Sequence, residues 1–228
     1  MTGERGTPMR ADARRNRDRI LTAAKASFAT HGPEIPAEEI ARAAGVAPGT
    51  LYRHFADREA LILAVAQNNL DHALVEARAA VAEEPSAWDA LVRILHQSHE
   101  LRLSIRLVLA YPAVHELMKE RKTGRLRRTM LELFDAVVRK AQAEGSLRED
   151  VGAGDVAVMF ALLAHPMPIM RSDVAEIASE RCMALMLESL RTGSAARLPG
   201  RPITPSDIGA GPEECVHRPA SCESGHPV

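Results

Sequence analysis

Apolar residues recur at three- and four-residue spacing along most of the chain, which is the periodicity of helices buried on one face. The first such stripe comprises Ile20, Leu21, Ala24 and Phe28. A later stripe comprises Leu70, Leu74, Ala77 and Val81. No segment combines sustained apolar–polar alternation with β-branched residues, as strands do. The pattern therefore predicts an all-α protein.

Glycine and proline mark where these helices begin and end. The pair Gly32-Pro33 predicts the end of the first helix, because glycine adopts the left-handed conformation beyond a helix and proline cannot continue it. Pro36 and Pro48 open the next two helices, and Asp57 caps a long fourth one. The other predicted helices span 88–109, 113–122, 126–143, 154–171 and 173–191.

The three short helices, with Gly45 at the tight turn, form a helix-turn-helix pattern. On the third helix Leu51 and Phe55 share one face, which we expect to pack on the second helix. Polar groups occupy the opposite face at Thr50, Arg53 and His54, with Tyr52 on the flank. A short helix that turns small and polar groups outward fits the major groove of DNA, and Gly49 would let the backbone approach closely.

Residues 14–65 resemble the N-terminal domain of the TetR family of transcriptional repressors. The shared motifs are Ile20-Leu21-x-x-Ala24, Phe28-x-x-x-Gly32, Ile40-Ala41-x-x-Ala44-Gly45-Val46, Gly49-Thr50-Leu51-Tyr52-x-His54-Phe55 and Arg58-Glu59-x-Leu61. This pattern is far more specific than a bare helix-turn-helix, although it covers only about a quarter of the chain. The C-terminal helices of the family diverge widely in sequence. The resemblance therefore implies only the number and the length of those helices in this chain.

The resemblance implies a DNA-binding surface on these first helices. Thr50, Tyr52 and His54 match recognition-helix contacts, chiefly to phosphates, and Arg58 matches the basic residue that anchors the fourth helix on the DNA backbone. Pro48 and Gly49 hold positions that often read bases, but they offer no side-chain hydrogen bond. The full set of predicted DNA-binding residues is Arg14, Arg15, Arg42, Pro48, Gly49, Thr50, Tyr52, Arg53, His54 and Arg58.

The chain departs from the family pattern where the second helix starts. The family usually has a hydroxyl residue there as cap and phosphate contact, whereas residues 36–37 are Pro-Ala. A local excess of arginine between Arg10 and Arg19 could supply the missing phosphate contacts. We therefore expect that neutralising Arg14, Arg15 and Arg17 weakens binding to every operator alike.

The predicted organisation has four parts. They are a flexible basic arm (1–13), a helix-turn-helix DNA-binding domain (14–65), a helical ligand-binding and dimerisation domain (66–192) and a tail (193–228). The tail is rich in proline and glycine with few large apolar groups, so it is expected to be disordered.

The resemblance also implies partners: a palindromic double-stranded DNA operator bound by a homodimer, and a small-molecule effector that releases it. In the family the last two long helices form a four-helix bundle with their mates. Here those helices carry apolar stripes that fit either such a bundle or the core of one chain: Val156, Met159, Phe160 and Leu163, then Met183, Leu187 and Leu190. The alternatives are a ligand-independent regulator or activator, or a helical protein-interaction module with a vestigial head.

Composition narrows the remaining possibilities. The net charge is -1, with three cysteines, no membrane-spanning apolar run and no signal peptide, which predicts a cytoplasmic protein. No glycine-rich phosphate loop, nucleophile elbow or His-Glu-x-x-His motif is found, so an enzyme is not expected. Neither a cofactor nor a metal is predicted, because the histidines and cysteines do not follow a zinc-site spacing.

Candidate ligand-binding residues lie in the C-terminal helices. They are Trp88, His96, His99, Phe134, His165 and Met167. His96 and His99 are three residues apart on one helix, which is compatible with a polar pocket lining or with an exposed surface. Pro166 and Pro168 could kink their helix and free carbonyl groups beside a cavity, or simply bend a core helix.

Overall fold

The computed structural model describes residues 6–97, 99–117, 121–164, 172–193 and 196–209. Within these ranges the chain is helical, and pairing between extended segments is limited to a single bridge between Leu147 and Arg191. The predicted all-α fold is confirmed. The helices are α1 (Gly6–His31), α2 (Ala37–Ala43), α3 (Pro48–His54), α4 (Arg58–Glu83), α5 (Ala87–Gln97), α6 (His99–Ala110), α7 (Pro112–Leu117), α8 (Arg121–Ala143), α9 (Ala153–Leu163), α10 (Ser172–Leu190) and α11 (Pro205–Gly209).

Several boundaries differ from those that the sequence predicts. α1 begins at Gly6, so residues 6–13 of the expected flexible arm continue the first helix. The helix expected at 88–109 is described as α5 and α6, on either side of residue 98. α9 ends at Leu163. The sequence predicts a helix as far as 171, but residues 165–171 lie outside the described part of the chain.

The N-terminal unit, called the head below, comprises α1 to α3 and the first two turns of α4. Its apolar core is built from side chains that are nearly all sequestered from solvent, including Ile20, Phe28, Ile40, Leu51, Phe55, Ile62 and Val65. Leu103 and Leu107 of α6 and Val114 of α7 belong to the same cluster. Helices from far along the chain therefore complete the core of the head, while on α4 the two cores divide between Val65 and Leu70.

The rest of the chain to Leu190, called the body, packs around the C-terminal half of α4. Its core joins residues of α4, α5, α8, α9 and α10, among them Leu74, Leu91, Phe134, Val138, Val156, Phe160, Met183 and Leu187. α4 thus contributes one end to each core. Because a single helix is rigid over its length, it links the two units mechanically.

The apolar stripes on α9 and α10 belong mainly to the core of the single chain. Val156 and Phe160 of α9 are buried within it, as are Met183, Leu187 and Leu190 of α10. Different apolar residues on the same two helices remain exposed: Val158, Leu162, Val174, Ile177 and Leu185.

Part of the expected disordered tail packs on the body. Residues 196–209, called the C-terminal strap below, lie against α8 and α9 and end in the short helix α11. The Gly154 amide donates to the Ile203 carbonyl oxygen at 2.9 Å. Composition alone predicted disorder, because the strap has too few apolar residues to form a core of its own. A few hydrogen bonds and contacts to the folded body are nevertheless enough to order it. Residues 210–228 lie outside the described part of the chain.

Candidate nucleic-acid interface and ligand cavity

The third helix is held to the head by one face. Leu51 and Phe55 are 2% and 3% exposed and pack in the core of the head, as their spacing predicts. Ala47 precedes the helix in an extended conformation, and Pro48 occupies its first turn, where a missing N–H is not needed. The buried pair therefore fixes which face of α3 points to solvent.

The turn between α2 and α3 depends on a glycine. Gly45 has a φ of +63°, in the left-handed region that favours glycine, and a Cβ there would overlap the guanidinium of Arg19. That guanidinium donates to the Gly45 carbonyl oxygen at 3.1 Å (Nη2 to O). α1 thus fixes the turn that orients α3.

The outward face of α3 carries the predicted polar groups. The Tyr52 side chain is 48% exposed, and Arg53 is exposed while its Nη2 donates to Thr50 Oγ1 at 3.1 Å. Pro48 and Gly49 are also exposed, and a Cβ added to Gly49 would meet nothing within 4 Å. The start of α3 is open to a close approach by another molecule. His54 is half-buried, with its ring 6.4 Å from that of Phe55 between centroids.

The second helix begins without a hydroxyl. Pro36 is its N-cap and offers no side-chain acceptor, while Glu38 and Glu39 occupy the first turn. These carboxylates complement the positive end of the helix dipole but oppose a phosphate placed there. Arg42 is exposed in the last turn of α2.

The arginines of α1 divide into two groups. The Arg17 guanidinium lies over the Phe55 ring at 4.8 Å from its centroid, so Arg17 packs on the end of α3. Arg14 and Arg15 are exposed one turn further toward the N-terminus, and Arg15 forms an ion pair with Asp12. Since Arg17 has this packing role, the exposed charges that could meet a phosphate are those of Arg14 and, in exchange for its pairing with Asp12, Arg15.

Arg58 points into the protein. Its guanidinium donates to the carbonyl oxygens of Pro33 and, at 2.8 Å, of Ile35. These bonds tie the start of α4 to the loop between α1 and α2. Arg58 is thus a clamp within the head, and the contact to the DNA backbone that the resemblance implies stays a prediction.

A cavity of about 320 Å³ lies in the body between α4, α5, α6, α8 and α9. Its lining is almost entirely apolar and comprises Ala66, Leu70, Ile94, Leu95, Leu101, Ser104, Ile105, Val108, Leu109, Arg127, Met130, Leu131, Phe134, Ala157, Val158, Phe160, Ala161 and Ile208. Ser104 Oγ donates to the Glu100 carbonyl oxygen at 3.0 Å, so its hydrogen is already used. A lining of this kind suits an apolar small molecule with few polar groups.

The predicted ligand-binding residues have different locations. Phe134 lines the cavity. Trp88 is buried in the core of the body, outside the lining, with the Arg191 guanidinium 4.7 Å from its ring centroid. His96 of α5 and His99 of α6 are both exposed. On α5 the inner face is occupied by Leu91, Ile94 and Leu95, which leaves His96 facing solvent. His165 and Met167 lie outside the described residues.

Sequence patterns did not indicate that three of the lining residues belong to one cavity. Ser104, Arg127 and Ile208 come from α6, α8 and the C-terminal strap, and they share no motif or spacing. Only the packing of these distant segments brings them to one cavity.

The head and the body are connected by polar contacts centred on α6. Lys25 Nζ of α1 forms an ion pair with Glu100 Oε1 at 2.6 Å, and the Glu100 carbonyl oxygen accepts from Asn69 Nδ2 of α4 at 3.2 Å. The Tyr111 hydroxyl donates to the Glu34 carboxylate in the head. Burial, and then the Glu34 carboxylate, raise the pKa of Tyr111.

The described residues contain no group of three or more histidine, cysteine or carboxylate side chains placed to hold a metal ion. None of the helices in this part of the chain is both long and apolar enough to cross a membrane.

Comparison with known proteins agrees with this arrangement. Residues 20–65 match the family of bacterial regulatory proteins named tetR. The HTH-type transcriptional regulator UidR of Escherichia coli is 26% identical over 151 residues, which cover 63% of this chain and 74% of UidR.

Solved structures extend the similarity to the body. A TetR transcription regulatory protein from Mycobacterium vanbaalenii is 28% identical, with a TM-score of 0.58, over 81% of this chain and 100% of its own. A TetR transcriptional regulator from Streptomyces coelicolor is 31% identical, with a TM-score of 0.59, over 78% of this chain and 99% of its own. The chain belongs to the TetR family of DNA-binding transcriptional regulators.

Proposed function

We propose that the chain is a repressor that binds a palindromic operator as a homodimer in the cytoplasm and leaves it when a small apolar effector occupies the body. The observation that carries this proposal is α3, whose inner face is buried at Leu51 and Phe55 while its outer face is polar. A helix held in this way can enter a major groove without unfolding any part of the head.

The DNA contacts follow from the exposed groups. Tyr52 and Thr50 would donate to phosphates from α3, and the α3 backbone at Gly49 would approach the groove edge. Arg14 and Arg15 would neutralise phosphates beside it, in place of the hydroxyl that α2 lacks. Arg58 would act indirectly, by holding the loop before α2.

The dimer is supported by the exposed apolar residues of α9 and α10. Leu162, Ile177 and Leu185 are 69%, 57% and 68% exposed, although large apolar residues cost free energy in water. A second copy of the same face would cover them around a two-fold axis. Two heads related by that axis would match a palindromic site.

Ligand release is supported by the path from the cavity to the head. Ser104 of α6 lines the cavity, and one turn earlier Glu100 pairs with Lys25 of α1. Leu103 and Leu107 of the same helix pack in the core of the head. A ligand that shifts α6 would therefore change the orientation of the head, and with it the spacing of two heads in a dimer.

The DNA-binding proposal is tested on fragments that flank the chain's own gene. We expect a sequence-specific shift at physiological salt. Tyr52→Ala should weaken it by about tenfold or more, because a hydrogen bond to a charged group contributes about 1.5–3 kcal/mol. Glu76→Gln, on the exposed surface of α4, is the control. A chain with no specific binding to any such fragment would instead fit the protein-interaction alternative.

The dimer proposal is tested by charge on the exposed face. Ile177→Glu and Leu185→Glu together should convert a dimer to a monomer in analytical ultracentrifugation and lower operator affinity. Val75→Glu is the matched control, since Val75 is 61% exposed on α4. An unchanged dimer in the double variant would place the interface elsewhere.

A further inference from the structure

The C-terminal strap is anchored to the body at several points along its length. Arg148 Nη2 donates to the Ala196 carbonyl oxygen at 2.7 Å, and the Leu198 amide donates to Asp150 Oδ2 at 2.9 Å. Further along, the Ile203 amide donates to Asp155 Oδ2 at 3.1 Å. The anchors involve backbone groups of the strap, so they define its path across the body.

Two glycines of the body form a seat for the strap. A Cβ at Gly152 or at Gly154 would overlap the Ile203 carbonyl oxygen. Gly154 lies in the first turn of α9, where a Cβ would also overlap Ile203 Cγ2. The close approach of Ile203 therefore leaves no room for a side chain at either position.

The strap ends at the cavity. Its terminal helix α11 is held by Asp207, which accepts from the Thr204 amide at 2.8 Å and pairs with Arg201 at 2.7 Å. Ile208 in this helix belongs to the lining of the cavity. The strap is therefore one wall of the site that the proposed function assigns to the effector.

Arg127 lines the cavity and forms a hydrogen bond to the strap. Among the described residues that line the cavity, it is the one charged side chain, and its Nη2 donates to the Ile208 carbonyl oxygen at 2.6 Å. That acceptor is neutral. A carboxylate would add its negative charge to the interaction and can accept two parallel hydrogen bonds from a guanidinium, so an anionic ligand would compete for Arg127.

We propose that the strap is a lid displaced by the ligand, and that the ligand is an apolar molecule with one carboxylate, which takes Arg127 from the Ile208 carbonyl oxygen. The apolar part of the ligand occupies the cavity that Met130 and Phe134 help to line. This proposal rests on the proposed ligand-responsive function. It adds the chemical class of the ligand and the lid that the ligand displaces.

The ligand class is tested with a matched pair of probes, decanoate and 1-decanol, by calorimetric titration of the full chain. Decanoate should bind at least tenfold more tightly than decanol. Arg127→Met keeps an unbranched apolar stem but removes the guanidinium and its charge, and it should abolish that preference. Equal affinity for the two probes, or binding of neither within its solubility, would overturn the ligand class.

The lid is tested by amide hydrogen exchange in the strap. Saturation with decanoate should increase exchange at Leu198 and Ile203. Gly154→Ala obstructs the seat, so it should increase the same exchange without ligand and tighten decanoate binding. Arg197→Ala, at an exposed position of the strap, is the control and should leave both unchanged. Unchanged strap exchange in the decanoate complex would overturn the lid.

These measurements do not involve DNA, so the two proposals can fail separately. If decanoate binds and loosens the strap while operator affinity stays the same, the proposed release mechanism fails and the lid stands. If another small molecule releases the operator while decanoate does not bind, the ligand class fails and the proposed function stands.

Discussion

The head and the body are both helical, but their candidate sites are assembled from the chain in different ways. In the head, α1 to α3 present a polar surface whose side chains lie within a few residues of the buried ones that orient them. In the body, the cavity is lined by residues from Ala66 to Ile208, which are far apart in the chain. A surface defined by local spacing is readable in a sequence motif, whereas a cavity assembled from distant segments is not.

The two regions are nevertheless not independent. α4 contributes to both cores, and α6 supplies Leu103 and Leu107 to the head while Ser104 lines the cavity. Neighbouring residues of one helix therefore serve the two regions. This is the physical basis on which a ligand in the body can affect a head that it does not touch.

The largest expected effect tests whether the two cores unfold together. Leu51→Ala in the head and Leu91→Ala in the body should each lower the free energy of unfolding by about 2–5 kcal/mol, since both side chains are fully buried. Because α4 and α6 are shared, both should shift one common transition in chemical denaturation at matched protomer concentration. Val75→Ala, at an exposed position, is the control. A separate early transition in Leu51→Ala would show that the head unfolds alone.

A smaller effect concerns the charges beside α3. Arg14→Gln with Arg15→Gln should weaken binding to all DNA fragments by about tenfold and lower the salt slope by about 1 for each phosphate that is no longer neutralised. Arg78→Gln removes one charge from the exposed face of α4 in the body and is the control. Fluorescence anisotropy across a salt series measures both quantities. The hypothesis that Arg14 and Arg15 neutralise phosphates fails if the slope of the double variant equals that of the parent chain.

The link between the regions is tested by a double-mutant cycle on Lys25→Met and Glu100→Gln. The pair is partly buried and joins α1 to α6, so we expect a coupling free energy of about 1 kcal/mol in unfolding. The reference cycle uses Arg139 and Asp135, which pair within the single helix α8 and should couple by about 0.3–0.5 kcal/mol. Additive effects for Lys25 and Glu100 would mean that this ion pair does not hold the head to the body.

The smallest expected effect is a response of the strap to acid. Hydrogen bonds from the Arg148 guanidinium, and then from the Leu198 amide, hold the pKa of the Asp150 carboxyl well below its usual range. The Arg201 guanidinium, and then the Thr204 amide, act in the same direction on the pKa of Asp207. A carboxyl with a lowered folded-state pKa stabilises the fold above its unfolded pKa, near 4, and that contribution is lost as pH falls toward the folded value.

We therefore expect the strap to stay seated between pH 5 and 8 and to loosen below about pH 4. The Leu198 and Ile203 amide resonances in nitrogen-15 NMR spectra report this change. Asp150→Asn should weaken the Leu198 anchor at neutral pH and reduce its response to acid. Resonances that remain constant from pH 7 to pH 3 would contradict the role of these carboxyls in holding the strap.

Predictions from sequence succeeded where one helix or one turn decides the outcome. The buried face of α3, the cap at Asp57 and the turn at Gly45 follow from spacing and from the conformational range of each residue. Arg58 shows the limit, because the carbonyl groups that it binds come from a loop folded against it, and no local pattern indicates them. His96 shows the same limit, since only the packing of α5 decided that it faces solvent.

By itself, the sequence determined the helical content, the helix-turn-helix and its polar face, because these depend on residues a few positions apart. The tertiary structure decided which apolar stripes of α9 and α10 are buried within the chain and which stay exposed. It also decided that residues 196–209 pack on the body, since the seat at Gly152 and Gly154 and the guanidinium of Arg127 reach the strap only after the helices have packed. Long-range contacts have no local periodicity, which is why these features have no signature in the sequence.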